Sequence, residues 1–232
     1  MLKDLEDFHA AGYVHRDVKA SNFVQGLQGY ESLSGMAKSM FNVPGIRGNY
    51  YIVDFGLAKR HIDRNGEIVP ARETADFRGT SMYASLAAHR LQDLGPKDDM
   101  WSMLFVVLDF LRGELPWSLD AQLKNRSAVE KLKSYYTEEE PRALVEGLPG
   151  EDALVEIIEY LVSLTYTDKP DYGRIHDLLL QVSQKSQEVH GSDALPVAPD
   201  ASCDEDVRKL TACKPAVAMS KWNHYADQVC ES

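Results

Sequence analysis

Val14-His15-Arg16-Asp17-Val18-Lys19-Ala20-Ser21-Asn22-Phe23 carries a carboxylate, a carboxamide, an ammonium and an imidazole within ten positions. Further along, the β-rich run Tyr50-Tyr51-Ile52-Val53 leads straight into Asp54-Phe55-Gly56. Metal-dependent phosphoryl transfer needs these groups in this order. Two hard oxygen ligands on separate loops hold Mg²⁺ over a nucleotide's phosphates, and a third carboxylate takes the proton of the attacking hydroxyl. The pattern makes Asp54 the principal Mg²⁺ ligand, Asn22 the second and Asp17 the base, with Lys19 placed to neutralise charge on the transferred group. Either short motif alone is weak, because a lone Asp in a loop is commonly a turn or cap residue. Their joint order, with a strand before Asp54, is what makes the pattern specific.

Working outward, Leu2, Leu5 and Phe8 are spaced as one face of a short helix that closes at Gly12. Residues 27–48 are rich in Gly and Ser and read as an exposed loop. Residues 57–85 show no helix or strand period. The second half is helical. Residues 97–112 place Met100, Trp101, Met103, Leu104, Phe105, Val106, Val107, Leu108, Phe110 and Leu111 on nearly every face, which predicts a helix buried all round. Amphipathic segments follow near 126–136, 151–165 and 173–184. Beyond 185, Gly191, Pro196, Pro199 and the acids at 204–206 predict a disordered acidic tail with a weak helix over 207–230.

The chain resembles the C-terminal lobe of a eukaryotic protein kinase of the casein kinase I family, most like its tau-tubulin kinase branch. Ile52-Val53-Asp54-Phe55-Gly56-Leu57-Ala58-Lys59 matches the family's metal loop, and Phe77-Arg78-Gly79-Thr80-Ser81-Met82-Tyr83-Ala84-Ser85 its substrate-facing segment. Asp98-Asp99-Met100-Trp101-Ser102 matches its central helix, Trp101 favouring the tau-tubulin kinase branch. Gly113-Glu114-Leu115-Pro116-Trp117 and Asp168-Lys169-Pro170-Asp171-Tyr172 complete the series. The resemblance implies a mainly α (α+β) fold over residues 1–184, with short β elements near 23–25 and 50–53 and an activation segment over 54–87. It implies a Ser/Thr protein kinase using ATP and Mg²⁺ on a protein hydroxyl. In that family Asp17 accepts the hydroxyl proton, Lys19 marks Ser/Thr rather than Tyr specificity, and Thr80 orients both. Asp99 accepts hydrogen bonds from the backbone near His15 and Arg16, while Val24 and Val53 line the adenine pocket. His15 and Phe55 are packing residues, and Thr74 and Ser81 lie where the segment is open to phosphorylation.

Three departures qualify the resemblance. Met82 stands where the family usually has an Arg that binds an acidic or phosphorylated part of the substrate, leaving Arg72 and Arg78 as the nearby guanidinium groups. Ala87 deletes a side chain that fastens the end of the segment. The connection over 27–48 is an insertion, which loop-closure entropy penalises only weakly, at about 0.6 kcal/mol per doubling of length. The sequence also carries no Gly-x-Gly-x-x-Gly phosphate loop, so the small N-terminal lobe is expected to be absent and independent ATP binding to be weak. The rival expectation is a non-catalytic kinase-like module or an inactive gene fragment.

Composition agrees with a globular chain of 232 residues, 44% hydrophobic and 26% charged. Its net charge of −11 argues against a nucleic-acid surface. The richest apolar stretch is too short to span a membrane, so no membrane association is expected. Cys203, Cys213 and Cys230 form neither a disulfide framework nor a zinc pattern, and an intracellular location, cytoplasmic or nuclear, follows as the expectation.

Overall fold

The computed structural model describes residues 1–25 and 50–190. The expected insertion at 27–48 and the tail beyond His190 lie outside the described residues. The chain opens with α1 (Leu2–Ala10), β1 (Tyr13–Val14), β2 (Phe23–Gln25), β3 (Tyr50–Ile52) and β4 (Lys59–Arg60). It continues through α2 (Leu86–His89), α3 (Pro96–Arg112), α4 (Ser118–Gln122) and α5 (Arg126–Ser134). A π-helical turn over Tyr135–Glu139 leads to α6 (Pro141–Val145), α7 (Glu151–Ser163) and α8 (Tyr172–His190). The fold is mostly helical with a few short strands.

The strands form two antiparallel pairs. One joins Phe23, Val24 and Gln25 to Ile52, Tyr51 and Tyr50. The other joins Tyr13 and Val14 to Arg60 and Lys59, so the segment after Asp54 is not the strand-free stretch its sequence predicts. A further bridge links Ile62 to Ile68 there. These pairings escape periodicity because two-residue strands are too short to show a period.

Helix α3 is the post around which the rest packs. Pro96 begins it, a position where the missing N–H costs nothing, and Gly113 in the left-handed conformation ends it. Its residues from Met100 to Leu108 are buried against Leu2 and Leu5 of α1, Val129 of α5, Leu144 of α6, Leu154 and Ile158 of α7, and Ile175 and Leu179 of α8. Each such Leu, Ile or Phe contributes about 1.5–3 kcal/mol of hydrophobic burial. The helix is not buried to its end: Phe110 is 44% exposed, because the last turn runs past the packed layer. In α1 the buried stripe is Leu2, Leu5 and His9, not Leu2, Leu5 and Phe8. Phe8 is only half-buried and stacks on Phe55 at a centroid distance of 5.2 Å. Helix α8 runs on to His190 instead of ending near 184. No helix of the described residues is long and apolar enough to cross a membrane.

Candidate active site

The loop between β1 and β2 is shaped by one buried carboxylate. Asp99, in the first turn of α3 and 1% exposed, accepts the His15 N–H at 2.7 Å and the Arg16 N–H at 2.8 Å. His9 Nε2 lies 2.8 Å from the same carboxylate, and its Nδ1 lies 2.7 Å from the Tyr172 hydroxyl. Burial alone would push the Asp99 carboxyl up. The bond and charge of His9, with the two backbone donors, outweigh that and hold it below its ordinary value.

That anchorage holds Arg16 in the left-handed region, at φ 69°, where non-glycine residues are uncommon. Its Nε donates to Leu57 O at 2.7 Å, tying the loop to the turn after Asp54. The His15 ring is engaged on both sides. Nε2 donates to Val53 O at 3.1 Å, and Nδ1 accepts the Asp17 N–H at 3.3 Å. The ring is therefore committed to backbone, with Phe55 edge-on at 5.8 Å.

The structure brings Asp17, Lys19 and Thr80 into one hydrogen-bonded triangle. Lys19 Nζ lies 2.8 Å from Asp17 Oδ2, the Thr80 hydroxyl donates to Asp17 Oδ1 at 2.8 Å, and Lys19 donates to Thr80 at 3.4 Å. Asp17 is 9% exposed, so a reactant can reach it while most of its surroundings are fixed. Gly79 makes the close approach possible. Its φ is +93°, and a Cβ there would lie 2.5 Å from Arg16 O.

Asn22 is buried, and its Nδ2 donates to Asp17 O at 2.9 Å, which leaves the amide oxygen as its acceptor end. Asp54 is exposed, with φ 64°, and its Oδ1 accepts the Gly56 N–H at 3.3 Å. Both residues sit at the ends of paired strands, where Val53 N–H donates to Asn22 O at 2.9 Å. A carboxylate and an amide oxygen are hard donors of the kind Mg²⁺ takes alongside water and phosphate. Among the described residues no group of three His, Cys, Asp or Glu side chains is assembled to hold an ion by itself. Val24, within β2, is 44% exposed and Val53, just after β3, is half-buried.

Several site-shaping residues escaped the sequence reading. Asp93, buried between β4 and α3, pairs with Lys59 and takes two bonds from the Arg72 guanidinium, at 2.9 and 3.3 Å. Burial raises its carboxyl less than Arg72 and Lys59 lower it, so it stays well below the usual range. Arg72 is thus engaged with Asp93, and Arg78 pairs with Asp76 on the surface at 3.1 Å. Thr74 is exposed, whereas the Ser81 hydroxyl oxygen is buried without a hydrogen-bond partner.

The sequence profile of the protein kinase domain matches residues 1–173, and the chain belongs to the protein kinase family. It is 38% identical over 179 residues to a probable serine/threonine-protein kinase of Dictyostelium discoideum, an alignment covering 77% of this chain and 32% of that protein. It is 33% identical over 187 residues to the serine/threonine-protein kinase spe-6 of Caenorhabditis elegans, covering 80% of this chain and 45% of that one. The chain spans less than half the length of either relative.

Proposed function

We propose that this chain is the larger, mainly helical lobe of a Ser/Thr protein kinase of the casein kinase I type, nearest its tau-tubulin kinase branch, that moves the γ-phosphoryl group of ATP to a protein hydroxyl. The observation that carries the reading is the Asp17–Lys19–Thr80 triangle, which sets an acceptor, a cation and an orienting hydroxyl within 3.4 Å of one another. In the step, the substrate Ser or Thr oxygen bonds to the γ-phosphorus and its proton passes to Asp17. The bond from that phosphorus to the β–γ bridging oxygen breaks, and ADP leaves. Lys19 neutralises charge on the transferred phosphoryl oxygens, and Thr80 holds the Asp17 carboxylate toward the attacking hydroxyl. Asn22 and Asp54 supply oxygen ligands for Mg²⁺, which when bound offsets phosphate charge. Val24 and Val53 flank the adenine. His15, Arg16 and Asp99 position the loop, since both nitrogens of His15 are spent on backbone.

The test is Mg²⁺-dependent transfer of labelled phosphate to a mixed Ser/Thr peptide pool, with Asp17→Asn in the same full chain as the blank. Slow transfer above the blank and a small nucleotide-dependent rise in Tm that Asp54→Ala abolishes are expected. Equal counts from both chains, or transfer to Tyr peptides alone, would sink the proposal.

A further inference from the structure

Lys133, on α5, is a lysine with nothing exposed. Lysines ordinarily bury their aliphatic stem and keep the ammonium in water. Here the ammonium donates to Ser81 O at 3.0 Å and to Ala84 O, and it lies 4.6 Å from the Phe105 ring centroid and 5.1 Å from that of Trp117. Among the described residues no carboxylate pairs with it. Burial lowers its proton affinity well below that of an ordinary lysine. A Met or Leu would fill the same space without the desolvation cost of an ammonium. Packing alone therefore does not account for a lysine here.

What the ammonium does touch is a stretch with little regular structure. One of its carbonyls is held within the segment and the others by side chains outside it. Thr80 O accepts from the Tyr83 and Ala84 N–H groups, each at 2.9 Å. Ser81 O takes His89 Nε2 at 3.2 Å besides Lys133. Met82 O takes Trp117 Nε1 at 2.8 Å. Lys133 is the group that grips two of these carbonyls, and Ser81 directly follows the Thr80 whose hydroxyl reaches Asp17. We infer that Lys133 is a positioning residue, which sets the substrate-facing segment against the catalytic loop through the carbonyls of Ser81 and Ala84. The inference deepens the kinase reading and rests on it for what the segment faces.

Hydrogen exchange on the full chain tests it without needing activity. Lys133→Met keeps the length of the side chain and removes the donor. It is expected to speed exchange at the Tyr83 and Ala84 amides by about tenfold or more, the scale of a lost bond to a charged group, while α3 amides keep their protection. Exposed Lys131→Met should change neither. Should Lys133→Met fail to fold, His89→Phe removes the other donor to Ser81 O and is expected to loosen the same two amides. Unchanged exchange at these amides, or acceleration spread evenly through α3, would overturn the inference. In parallel, Lys133→Met should raise KM for a peptide and leave KM for ATP alone. A wild-type chain no more active than Asp17→Asn refutes the kinase reading, and the exchange result still decides the role of Lys133.

Discussion

Two irregular segments meet at the candidate active site, and each is held by one buried charge of opposite sign. The loop over residues 15–22 hangs on the Asp99 carboxylate, which collects backbone N–H groups. The segment over 80–84 rests on the Lys133 ammonium, which collects backbone C=O groups. The difference lies in compensation. Asp99 has His9 at 2.8 Å, itself backed by Tyr172, and its carboxyl is held in the ionised direction. Lys133 has only carbonyl dipoles and ring faces, and burial drives it toward its neutral form. An anion with a buried partner makes a firm anchor, while a cation solvated by dipoles makes one that yields more easily. The loop that carries Asp17 is thus the more strongly fixed of the two.

The largest expected effect comes from breaking the firm side. Asp99→Ala leaves two backbone donors and His9 without their acceptor in a site closed to water. Removing one partner of such a buried pair costs about 3–5 kcal/mol, to be read from the denaturant midpoint. A cost below about 1 kcal/mol, the scale of a surface pair, would erase the contrast between the two anchors. Phosphate transfer should be lost with it.

Next in size is the junction. Gly79→Ala adds a Cβ 2.5 Å from Arg16 O at a backbone conformation, φ +93°, that Ala resists. The forced separation should cost about 1–3 kcal/mol and part Thr80 from Asp17. A variant whose transfer rate matches wild type would show that the two segments need not touch. The expected signature is a fall in kcat with little change in KM for ATP.

How much of this was legible beforehand follows from the range of each interaction. Asp17, Lys19 and Asn22 stand in one short motif and Asp54 in a second that follows a β-rich run, so their order in the sequence grouped them, and α3 betrayed itself by being apolar on nearly all sides. Asp99 was reachable only through the family resemblance, since its partners are 84 and 83 positions away. His9 was missed because a polar residue on the buried stripe of α1 does not register as apolar periodicity, and Phe8 took its place in the reading. Lys133 was missed for the same reason. It shares the buried face of α5 with Val129, one turn earlier, yet a lysine is read by default as solvated surface. Asp93 gave no local sign at all, since Lys59 and Arg72 lie 34 and 21 positions away.

The smallest net effect on the wild-type chain concerns pH, and it sharpens the contrast because two buried groups beside the 80–85 segment titrate with opposite sign. Desolvation and the nearby Lys133 lower His89 from 6.5 to about 4. Desolvation raises Asp98 from 3.8 to about 6. Between about 4 and 6.5 the unfolded chain protonates His89 more than the folded one does, so that contribution falls as pH falls. Between 3.8 and about 6 the folded chain protonates Asp98 more than the unfolded one, so that contribution falls as pH rises. The two slopes oppose each other over nearly the same interval. Asp98→Asn removes one of them, so its stability relative to wild type should climb steadily from pH 4 to pH 6 and then level. His89→Phe should show the reverse, gaining on wild type as the solution is acidified through the same interval. Denaturant midpoints for the three chains at four pH values decide it, and parallel curves would mean that neither group changes its proton affinity on folding.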